Sequence, residues 1–493
     1  MRLKKITIGE YKNLKDFTLD FDGDSFIDVF VGKNGTGKSN LFEALIDIFR
    51  HLYENDHALK FNYTLEYTIN SSDVFVKWDW LNEQFVDSAG KQTRKVIKSL
   101  LPDNILIYYS GHNPKVGKLV EAYEEKFKKG LKLADPGDSR EFIGIGNDYK
   151  SLLLSVLLIQ PNGEKARQFI TSKLGIQTGQ ELKLVLKRPD YAFNKNKPRE
   201  EYNIDQFIPE TRFWGAKGIT LSFLDRIATV KPGVNSGKII RYEGYQQDTD
   251  QYIFYFDIPD FQKVFTNQTP QNIFRSFDNL KTIGMLEDIS IELTLANGKK
   301  LDVQEFSDGQ FQSVYIYSII ELFKDRNCIT LLDEPDSFLH PEWQYDFLKQ
   351  VFEITDIPEI NNHVLMTSHS AITLIPHNQR KINLFRFIDG DLKCHPVNRC
   401  FAINQLSASF IKYSENEQIL SIINRINADS KPILFTEGST DPAILNHAWE
   451  RLYPDPIPFN IIYAFNCTFL RQIIQDNRII NELNGNVMFG LFD

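Results

Sequence analysis

The sequence GKNGTGKS at residues 32–39 decides the fold. It matches the pattern G-x-x-x-x-G-K-[ST] at every fixed position. The run before it, SFIDVFVG at residues 25–32, predicts a buried strand. The run after it, NLFEALIDIFRHLYEN at residues 40–55, repeats apolar residues at three- and four-residue spacing, which predicts a helix with one apolar face. A strand, a glycine-rich loop and a helix in this order predict a phosphate-binding loop in an α/β domain.

Each residue type in this loop has a specific use. The glycines let backbone N–H groups turn inward around phosphates, Lys38 can place its ammonium on the β and γ oxygens, and Ser39 can bind Mg²⁺. The alternative is a glycine-rich turn without a ligand, which the flanking strand and helix disfavour. The candidate ATP-binding residues here are Gly32, Asn34, Gly35, Gly37, Lys38, Ser39 and Asn40.

A second motif, CITLLDEPDSFLHP, occupies residues 328–341. Its apolar start predicts a buried strand that brings Asp333 and Glu334 to the carboxyl end of a sheet, where α/β folds bind ligands. Asp333 would hold Mg²⁺ through water, and Glu334 would orient or polarise the water that attacks the γ-phosphate. An isolated Asp-Glu pair after a strand more often starts a helix, but the upstream phosphate loop favours the catalytic interpretation.

With these two motifs the chain resembles the ABC-type ATPases of the SMC and RecF-like branch, over roughly residues 1–110 and 290–390. The segment FSDGQ at residues 306–310 resembles their signature motif, although Phe306 replaces the commoner leucine. The resemblance implies that two copies of the chain hold ATP between them, as a homodimer or a larger homo-oligomer. It assigns γ-phosphate or interface roles to Ser307, Gly309, Gln310, Asp336 and the switch histidine His369. Considered singly, Ser307 would be a helix cap and His369 a structural histidine.

The C-terminal stretch has three predicted strands, in KPILFTEG, FNIIYAF and VMFGLFD, separated by helical runs. This layout places Glu437, Asp441 and Asp493 at one sheet edge, where three carboxylates could bind Mg²⁺. It resembles a Toprim domain, and an ABC-type ATPase followed by Toprim resembles the OLD (overcoming lysogenization defect) nucleases. The family's Asp-x-Asp motif would continue beyond Asp493, and we expect the gene to do so.

The resemblance to OLD nucleases implies an ATP-gated, metal-dependent DNA endonuclease that uses Mg²⁺, or Mn²⁺ at the Toprim site. Several members act in anti-phage defence, which suggests a partner such as a retron reverse transcriptase with its DNA–RNA product. The alternative is an SMC/RecF-like ATPase clamp that binds DNA or a partner protein and has no nuclease activity of its own.

The expected fold class is α/β, with an ABC-type ATPase sheet, a largely helical insertion and a partial Toprim-like parallel domain. Predicted helices of the insertion cover residues 115–132 and 148–174, beside strand-like runs such as YIFYFDI. The predicted segments are two ATPase parts at 1–111 and 291–400, the insertion at 112–290 for dimerisation or DNA contact, a helical connector at 401–430, and Toprim at 431–493.

Composition limits the partners and the compartment. The 56 Lys and Arg against 65 Asp and Glu give a net charge of −9, so any DNA contact requires a local basic patch. The loop with Lys187, Arg188, Lys195, Lys197 and Arg199 around Tyr191 and Phe193 is one candidate, although a solvated loop is the commoner alternative. Four scattered cysteines, no secretion signal and no long apolar run predict a cytoplasmic protein without a membrane segment.

Overall fold

A computed structural model of the chain describes most of its length. The described residues are 1–22, 25, 27–54, 59–109, 114–131, 140–232, 241–301, 305–306, 308–337, 339–341, 344–345, 347–348, 351, 361–375, 382–388, 390–407, 431–438, 440–453, 455–464, 467–483 and 485–492.

The strands and helices are numbered in chain order. The strands are β1 (Arg2–Tyr11), β2 (Leu14–Asp20), β3 (Ile27–Val31), β4 (Tyr63–Ile69), β5 (Ser72–Asp79), β6 (Gln84–Val86), β7 (Gln92–Thr93), β8 (Asn104–Tyr109), β9 (Phe142–Ile145), β10 (Ile176–Lys187), β11 (Phe193–Asn194), β12 (Lys197–Pro198), β13 (Gly244–Gln246), β14 (Gln251–Asp257), β15 (Leu286–Leu295), β16 (Lys300–Leu301), β17 (Cys328–Asp333), β18 (His363–Ser368), β19 (Ile382–Ile388), β20 (Asp391–Val397), β21 (Ile433–Thr436), β22 (Asn460–Tyr463) and β23 (Met488–Leu491). The helices are α1 (Lys38–Glu54), α2 (Pro114–Leu131), α3 (Lys150–Leu158), α4 (Lys165–Leu174), α5 (Gly218–Ala228), α6 (Ile258–Val264), α7 (Pro270–Thr282), α8 (Asp308–Phe323), α9 (Ala371–Leu374), α10 (Arg399–Leu406), α11 (Asp441–Leu452), α12 (Cys467–Gln475) and α13 (Asn477–Glu482).

A mainly parallel sheet carries the two nucleotide motifs. Its described strands have the order β20-β19-β3-β18-β17-β8-β9. Every neighbouring pair from β19 to β9 is parallel, and only β20 runs antiparallel. The central strands β17 and β18 are buried along their whole length, as expected for a parallel sheet with both faces covered. β3, β18 and β17 therefore end side by side at one edge of the sheet.

Helix α1 packs into a core that also contains residues of the parallel sheet and of an antiparallel sheet, β2-β1-β4-β5-β6-β7. The alternating burial of β4 confirms that one face of the antiparallel sheet points to this core. The predicted apolar face of α1 is buried to 1% exposure or less at Leu41, Leu45, Ile48, Phe49 and Leu52. Strands β1 and β2 pair as an antiparallel hairpin near the N-terminus.

The insertion contains helices and a sheet of its own, β13-β14-β10-β15-β16. The helix predicted at 115–132 is confirmed as α2, within one residue at each end. The single helix predicted at 148–174 is wrong, because α3 ends at Leu158 and α4 begins at Lys165. Pro161 and Gly163 lie in the break, and both residues disfavour a continuous helix.

One arginine of the basic loop proposed to contact DNA is buried. Arg188 is only 7% exposed, and its Nε donates to Oδ2 of Asp250 at 2.6 Å. Trp214, which is fully buried, donates through Nε1 to the other oxygen of the same carboxylate at 2.8 Å. The interpretation of Arg188 as a DNA contact is therefore wrong, because its guanidinium is committed to the interior of the insertion.

The chain divides into two compact units, residues 1–402 and 403–493. Within the second unit, β21 lies between β22 and β23 and is parallel to both. Residues Ile433, Phe435 and Ile462 form its core with the apolar sides of α12 and α13. This confirms the predicted β-α-β-α-β order of the segment. Among the helices that the structure describes, none has the length and apolar character needed to cross a membrane.

Candidate nucleotide-binding site

The loop at residues 32–39 joins β3 to α1, and Lys38 is its most buried charged residue. The Lys38 side chain is 4% exposed, and Nζ donates to the Gly32 carbonyl oxygen at 2.8 Å and to that of Lys33 at 3.4 Å. Burial lowers the pKa of the ammonium, while the carboxylates of Glu334, Asp333 and Asp336 oppose that shift. The ammonium therefore already lies inside the loop, where the oxygens of a bound phosphate would replace carbonyl contacts.

The loop glycines are required by space and by backbone conformation. Gly35 and Gly37 have φ of +82° and +91°, which L side chains rarely adopt. A Cβ on Gly32 would lie 2.7 Å from Oγ1 of Thr36 and 2.8 Å from the Phe385 carbonyl oxygen. The chain thus retains the narrow, N–H-lined curve that a phosphate group needs, and these residues fit an ATP phosphate chain.

Asp333 and Ser39 meet where a magnesium ion would bind. Ser39 Oγ donates to Asp333 Oδ1 at 3.2 Å, across 294 residues of sequence. Thr367 Oγ1 donates to the same oxygen at 2.9 Å and fixes the carboxylate from the adjacent strand. A hydroxyl and a carboxylate oxygen are the donor types that Mg²⁺ prefers alongside nucleotide phosphates, so the residues present fit the ion.

Glu334 leaves the end of β17 in an unusual conformation. Its φ of +48° lies in the left-handed region, which costs a non-glycine residue roughly 1–3 kcal/mol. The Thr367 hydroxyl accepts the Glu334 backbone N–H at 2.9 Å and holds this turn. The turn leaves Oε1 of Glu334 3.8 Å from Nζ of Lys38, so the carboxylate faces the loop.

His369 and Glu334 form a pair at this edge. Nδ1 of His369 lies 3.3 Å from Oε1 of Glu334, which is an ion-pair distance. Nδ1 has no partner in hydrogen-bonding geometry among the described residues. The contact with His369 lowers the pKa of Glu334, and the same contact raises the pKa of His369. Glu334 is consequently ionised at neutral pH, the state required of a proton acceptor.

Asp336 does not face open space within this chain. It is fully buried, and Oδ2 accepts from Ser368 Oγ at 2.6 Å and from Thr373 Oγ1 at 2.5 Å. Burial raises its pKa. The two hydroxyls flank His369 in sequence, so Asp336 holds the segment that carries the histidine. A direct contact between Asp336 and ATP is not available in the geometry of the single chain.

The remaining predicted ATP residues are described only in part. Asn40 Nδ2 donates to Asn13 Oδ1 at 2.6 Å, and Asn34 is exposed at the tip of the loop. Ser307 lies outside the described residues, and Gly309 and Gln310 are described only as backbone of α8. Just before them, Lys150 Nζ donates to the Phe306 carbonyl oxygen at 2.8 Å, which ties the start of the signature segment to α3.

The candidate metal site of the second unit is incomplete within the described residues. Glu437 follows β21 directly, and Asp441 Oδ2 accepts the Gly438 backbone N–H at 2.8 Å at the start of α11. Asp493 lies outside the described residues. No group of three or more His, Cys, Asp or Glu side chains suited to a metal ion occurs in the part of the chain that the structure describes. The roles of all three carboxylates stay predictions.

Sequence reasoning missed the hydroxyl groups that hold the site together. Thr367 fixes both Asp333 and Glu334, while Ser368 and Thr373 hold Asp336. A signal was present, since Thr367 and Ser368 are polar residues that end an otherwise apolar strand, HVLMTS. Buried hydroxyls in such a position must find acceptors, and the carboxylates of the neighbouring strand supply them.

We predict that Glu334→Gln lowers the pKa of His369 toward the ordinary value of about 6.5. The folded protein binds this proton more tightly than the unfolded chain, because Glu334 raises the His369 pKa. The pair therefore contributes stability below about pH 6.5, which is lost as the pH rises through the higher folded pKa. NMR titration of the His369 imidazole measures the change.

His395 serves as the internal control of that titration. Burial lowers its pKa, and its charged neighbours are Arg386 and Lys393 rather than Glu334. Its titration should be the same in both proteins. An unchanged His369 pKa in Glu334→Gln would contradict the pairing.

Two protein-family models match parts of the chain. A family model described as "AAA ATPase domain" matches residues 1–200, and one described as "AAA domain, putative AbiEii toxin, Type IV TA system" matches residues 171–375. No curated protein matches the chain in sequence.

Three solved structures are similar over most of their length. An SMC head bound to the C-terminal winged-helix domain of ScpA is 12% identical, with 81% of this chain and 98% of that chain covered and a TM-score of 0.32. The Smc head with a coiled coil and joint from Pyrococcus yayanosii is 12% identical, with 83% of this chain and 99% of that chain covered and a TM-score of 0.33. The recombination mediator RecF with ATP is 14% identical, with 80% of this chain and 97% of that chain covered and a TM-score of 0.32.

The two family matches lie in the part of the chain that contains the nucleotide motifs. They overlap at residues 171–200 and include both the phosphate loop and the Asp333-Glu334 pair. Residues 1–375 are therefore similar to ATPase domains of the AAA type, through two overlapping family matches that together run from residue 1 to residue 375.

Proposed function

We propose that this protein binds MgATP at the loop of residues 32–39 and hydrolyses it with Glu334 as the proton acceptor. The observation that carries the proposal is the position of Glu334, whose ionised carboxylate lies 3.8 Å from the Lys38 ammonium and 3.3 Å from His369. Lys38 would contact the β and γ phosphates, and Ser39 with Asp333 would hold Mg²⁺, which neutralises phosphate charge when bound.

The fold already orients the groups that would act in hydrolysis. The left-handed backbone of Glu334 and the hydroxyl of Thr367 keep the carboxylate at the strand end. From there it can accept a proton from the water that attacks the γ-phosphate. His369, with its raised pKa, can carry a positive charge beside the same phosphate.

The ATP site would be completed by a second copy of the chain. The resemblance assigns Ser307, Gly309 and Gln310 to the nucleotide of the opposite subunit. Gly309 and Gln310 lie in the first turn of α8, far from the phosphate loop in sequence. A homodimer that closes on ATP is therefore part of the proposal. DNA is the proposed partner of the closed form, although the net charge of −9 restricts it to a local basic surface.

We expect Glu334→Gln to hydrolyse ATP at least about 100-fold more slowly than the wild type. The amide keeps the shape of the side chain but cannot accept the proton, so ATP binding should remain and the ATP-bound dimer should accumulate. Phosphate release measures hydrolysis, and light scattering measures the dimer. Glu292→Gln is the matched control, since Glu292 is exposed and paired with Lys300. Equal rates in Glu334→Gln and wild type would remove Glu334 from the mechanism.

For the second unit we propose metal-dependent cleavage of DNA, controlled by the ATPase, as in the OLD nucleases. Support comes from the parallel order β22-β21-β23, from Glu437 directly after β21, and from Asp441 at the start of the following helix α11. Carboxylates at adjacent strand ends can bind Mg²⁺ or Mn²⁺, which would activate water toward a phosphodiester. An anti-phage role and a retron-type partner rest on the same resemblance alone.

A second candidate function is an ATPase clamp whose C-terminal unit only docks DNA or a partner protein. It rests on the same ATPase motifs and requires no metal in the second unit. The two candidates share the ATPase chemistry and differ only in whether Glu437 acts on DNA.

We predict that Glu437→Ala abolishes DNA cleavage by the full-length protein while ATP binding and dimerisation are retained. The reason is that Glu437 belongs to a unit separate from residues 1–402. The assay is nicking or linearisation of plasmid DNA with Mg²⁺ or Mn²⁺, with and without ATP. Asp455→Ala changes an exposed carboxylate of the same unit and should leave cleavage intact. Cleavage at the wild-type rate by Glu437→Ala would refute the nuclease and leave the clamp.

A further inference from the structure

A cavity of about 340 Å³ lies between α5 and α7 in the insertion. Its walls include Phe223 and Arg226 from α5, Phe265 after α6, and Arg275 with Asn279 from α7. The volume is within the range of pockets that hold small organic ligands. None of its lining residues belongs to the phosphate loop, the Asp333-Glu334 segment or His369.

The cavity wall carries two arginines, and no carboxylate lines it among the described residues. Arg275 is half-buried and makes neither a hydrogen bond nor an ion pair with any described residue. Burial lowers its pKa and the nearby Arg326 lowers it further, whereas the charges of Asp278 and Asp103 raise it. Because neither carboxylate lines the cavity, an anion bound there would stabilise the guanidinium directly.

The second arginine of the wall is fixed but not neutralised. Nε and Nη2 of Arg226 donate to the Val264 carbonyl oxygen at 3.1 and 2.6 Å, and the guanidinium stacks on the Phe265 ring at 4.8 Å. These contacts orient the side chain, and no carboxylate among the described residues forms an ion pair with it. No Asp or Glu is among the described residues that line the cavity. Two arginines with one uncompensated charge each match an anion that is doubly charged.

The rest of the lining has the character of an organic binding site. The side-chain amides of Gln268, Asn272 and Asn279 line the cavity beside Phe223 and Phe265, whose rings are largely buried. Thr220 also lines the cavity, is 3% exposed, and its hydroxyl finds no hydrogen-bond partner among the described residues. Side-chain amides and a hydroxyl can hydrogen-bond to the polar edge of a heterocyclic ring.

We propose that this cavity binds a phosphate monoester that carries a flat heterocyclic ring, in size about one nucleoside monophosphate. Arg275 and Arg226 would hold the phosphate, since a guanidinium pairs with phosphate oxygens through two parallel hydrogen bonds. The ring would form hydrogen bonds with the side-chain amides of Gln268, Asn272 and Asn279. Such a ligand could be a free mononucleotide or the phosphorylated end of a nucleic-acid strand, and both present the same chemistry to the cavity.

The test is isothermal titration of the full chain with thymidine 5′-monophosphate, while the phosphate loop is filled with a non-hydrolysable ATP analogue. A 5′-phosphorylated oligothymidylate is titrated in parallel, and thymidine serves as the ligand without phosphate. We expect one or both phosphorylated ligands to bind and thymidine not to bind at about 1 mM. Binding of the monophosphate identifies a free nucleotide, whereas binding of the oligonucleotide alone identifies a strand end.

Variants of cavity residues then test whether the ligand binds in this cavity. Arg275→Gln should weaken it at least about tenfold, because it removes a charged hydrogen-bond donor, and Arg275→Lys should restore part of the loss. Asn279→Asp is nearly isosteric, and its negative charge should abolish binding of the phosphate. Arg241→Gln is the matched control, since Arg241 pairs with Glu181 and does not line the cavity.

Two results would overturn the proposal. One is that neither phosphorylated ligand binds at about 1 mM. Binding of an acidic peptide in their place would also count against the proposal. The other is that binding occurs but is unchanged in both Arg275→Gln and Asn279→Asp. Because every titration is made with the ATP site filled, neither result bears on the ATPase.

Discussion

The parallel pairing of β3, β18 and β17 is the constraint on which the nucleotide site depends. Parallel strands end at the same edge of a sheet, so residues far apart in the sequence become neighbours there. Lys38 follows the first strand, His369 the second and Glu334 the third. The burial of β17 and β18 along their whole length fixes their register, since a slip would expose apolar side chains or leave hydrogen bonds unmade.

Electrostatics then determine what this edge can do. The Lys38 ammonium is buried at a cost in solvation, which backbone carbonyls and the Glu334 carboxylate partly offset. Glu334 in turn is held between Lys38 and His369, so a nucleotide phosphate that draws Lys38 away would leave Glu334 paired with the histidine alone. Asp336, buried behind the same edge, fixes the segment on either side of His369. Binding of a phosphate chain and orientation of the Glu334–His369 pair would thereby be linked.

Local patterns were sufficient to predict the elements of the ATPase core. The glycine-rich loop, the apolar strand before Asp333 and the three- and four-residue spacing in α1 each depend on neighbouring residues, and all three predictions are confirmed. The predictions were less accurate where long-range contacts determine the environment of a residue. Arg188 belongs to a loop that looked free for DNA, but Asp250 and Trp214, distant in sequence, hold it inside the insertion.

The same distinction applies to the candidate site. Lys38, Asp333 and Glu334 were found because their motifs have fixed spacing. The hydroxyl of Thr367 and the positive φ of Glu334 are properties of two strands packed together, and no single segment encodes them. The unpaired charge of Arg275 also required the tertiary structure, since the arginine and its surroundings come from separate helices.

The central claim is that Lys38 is the cation that holds ATP, and the affinity of Lys38→Ala for ATP tests it most directly. Lys33→Ala is the matched comparison, because Lys33 lies in the same loop but is exposed. The account predicts that Lys38→Ala binds ATP about 10–100-fold more weakly than the wild type, while Lys33→Ala binds almost normally. Equal affinity of Lys38→Ala and wild type in isothermal titration would contradict it.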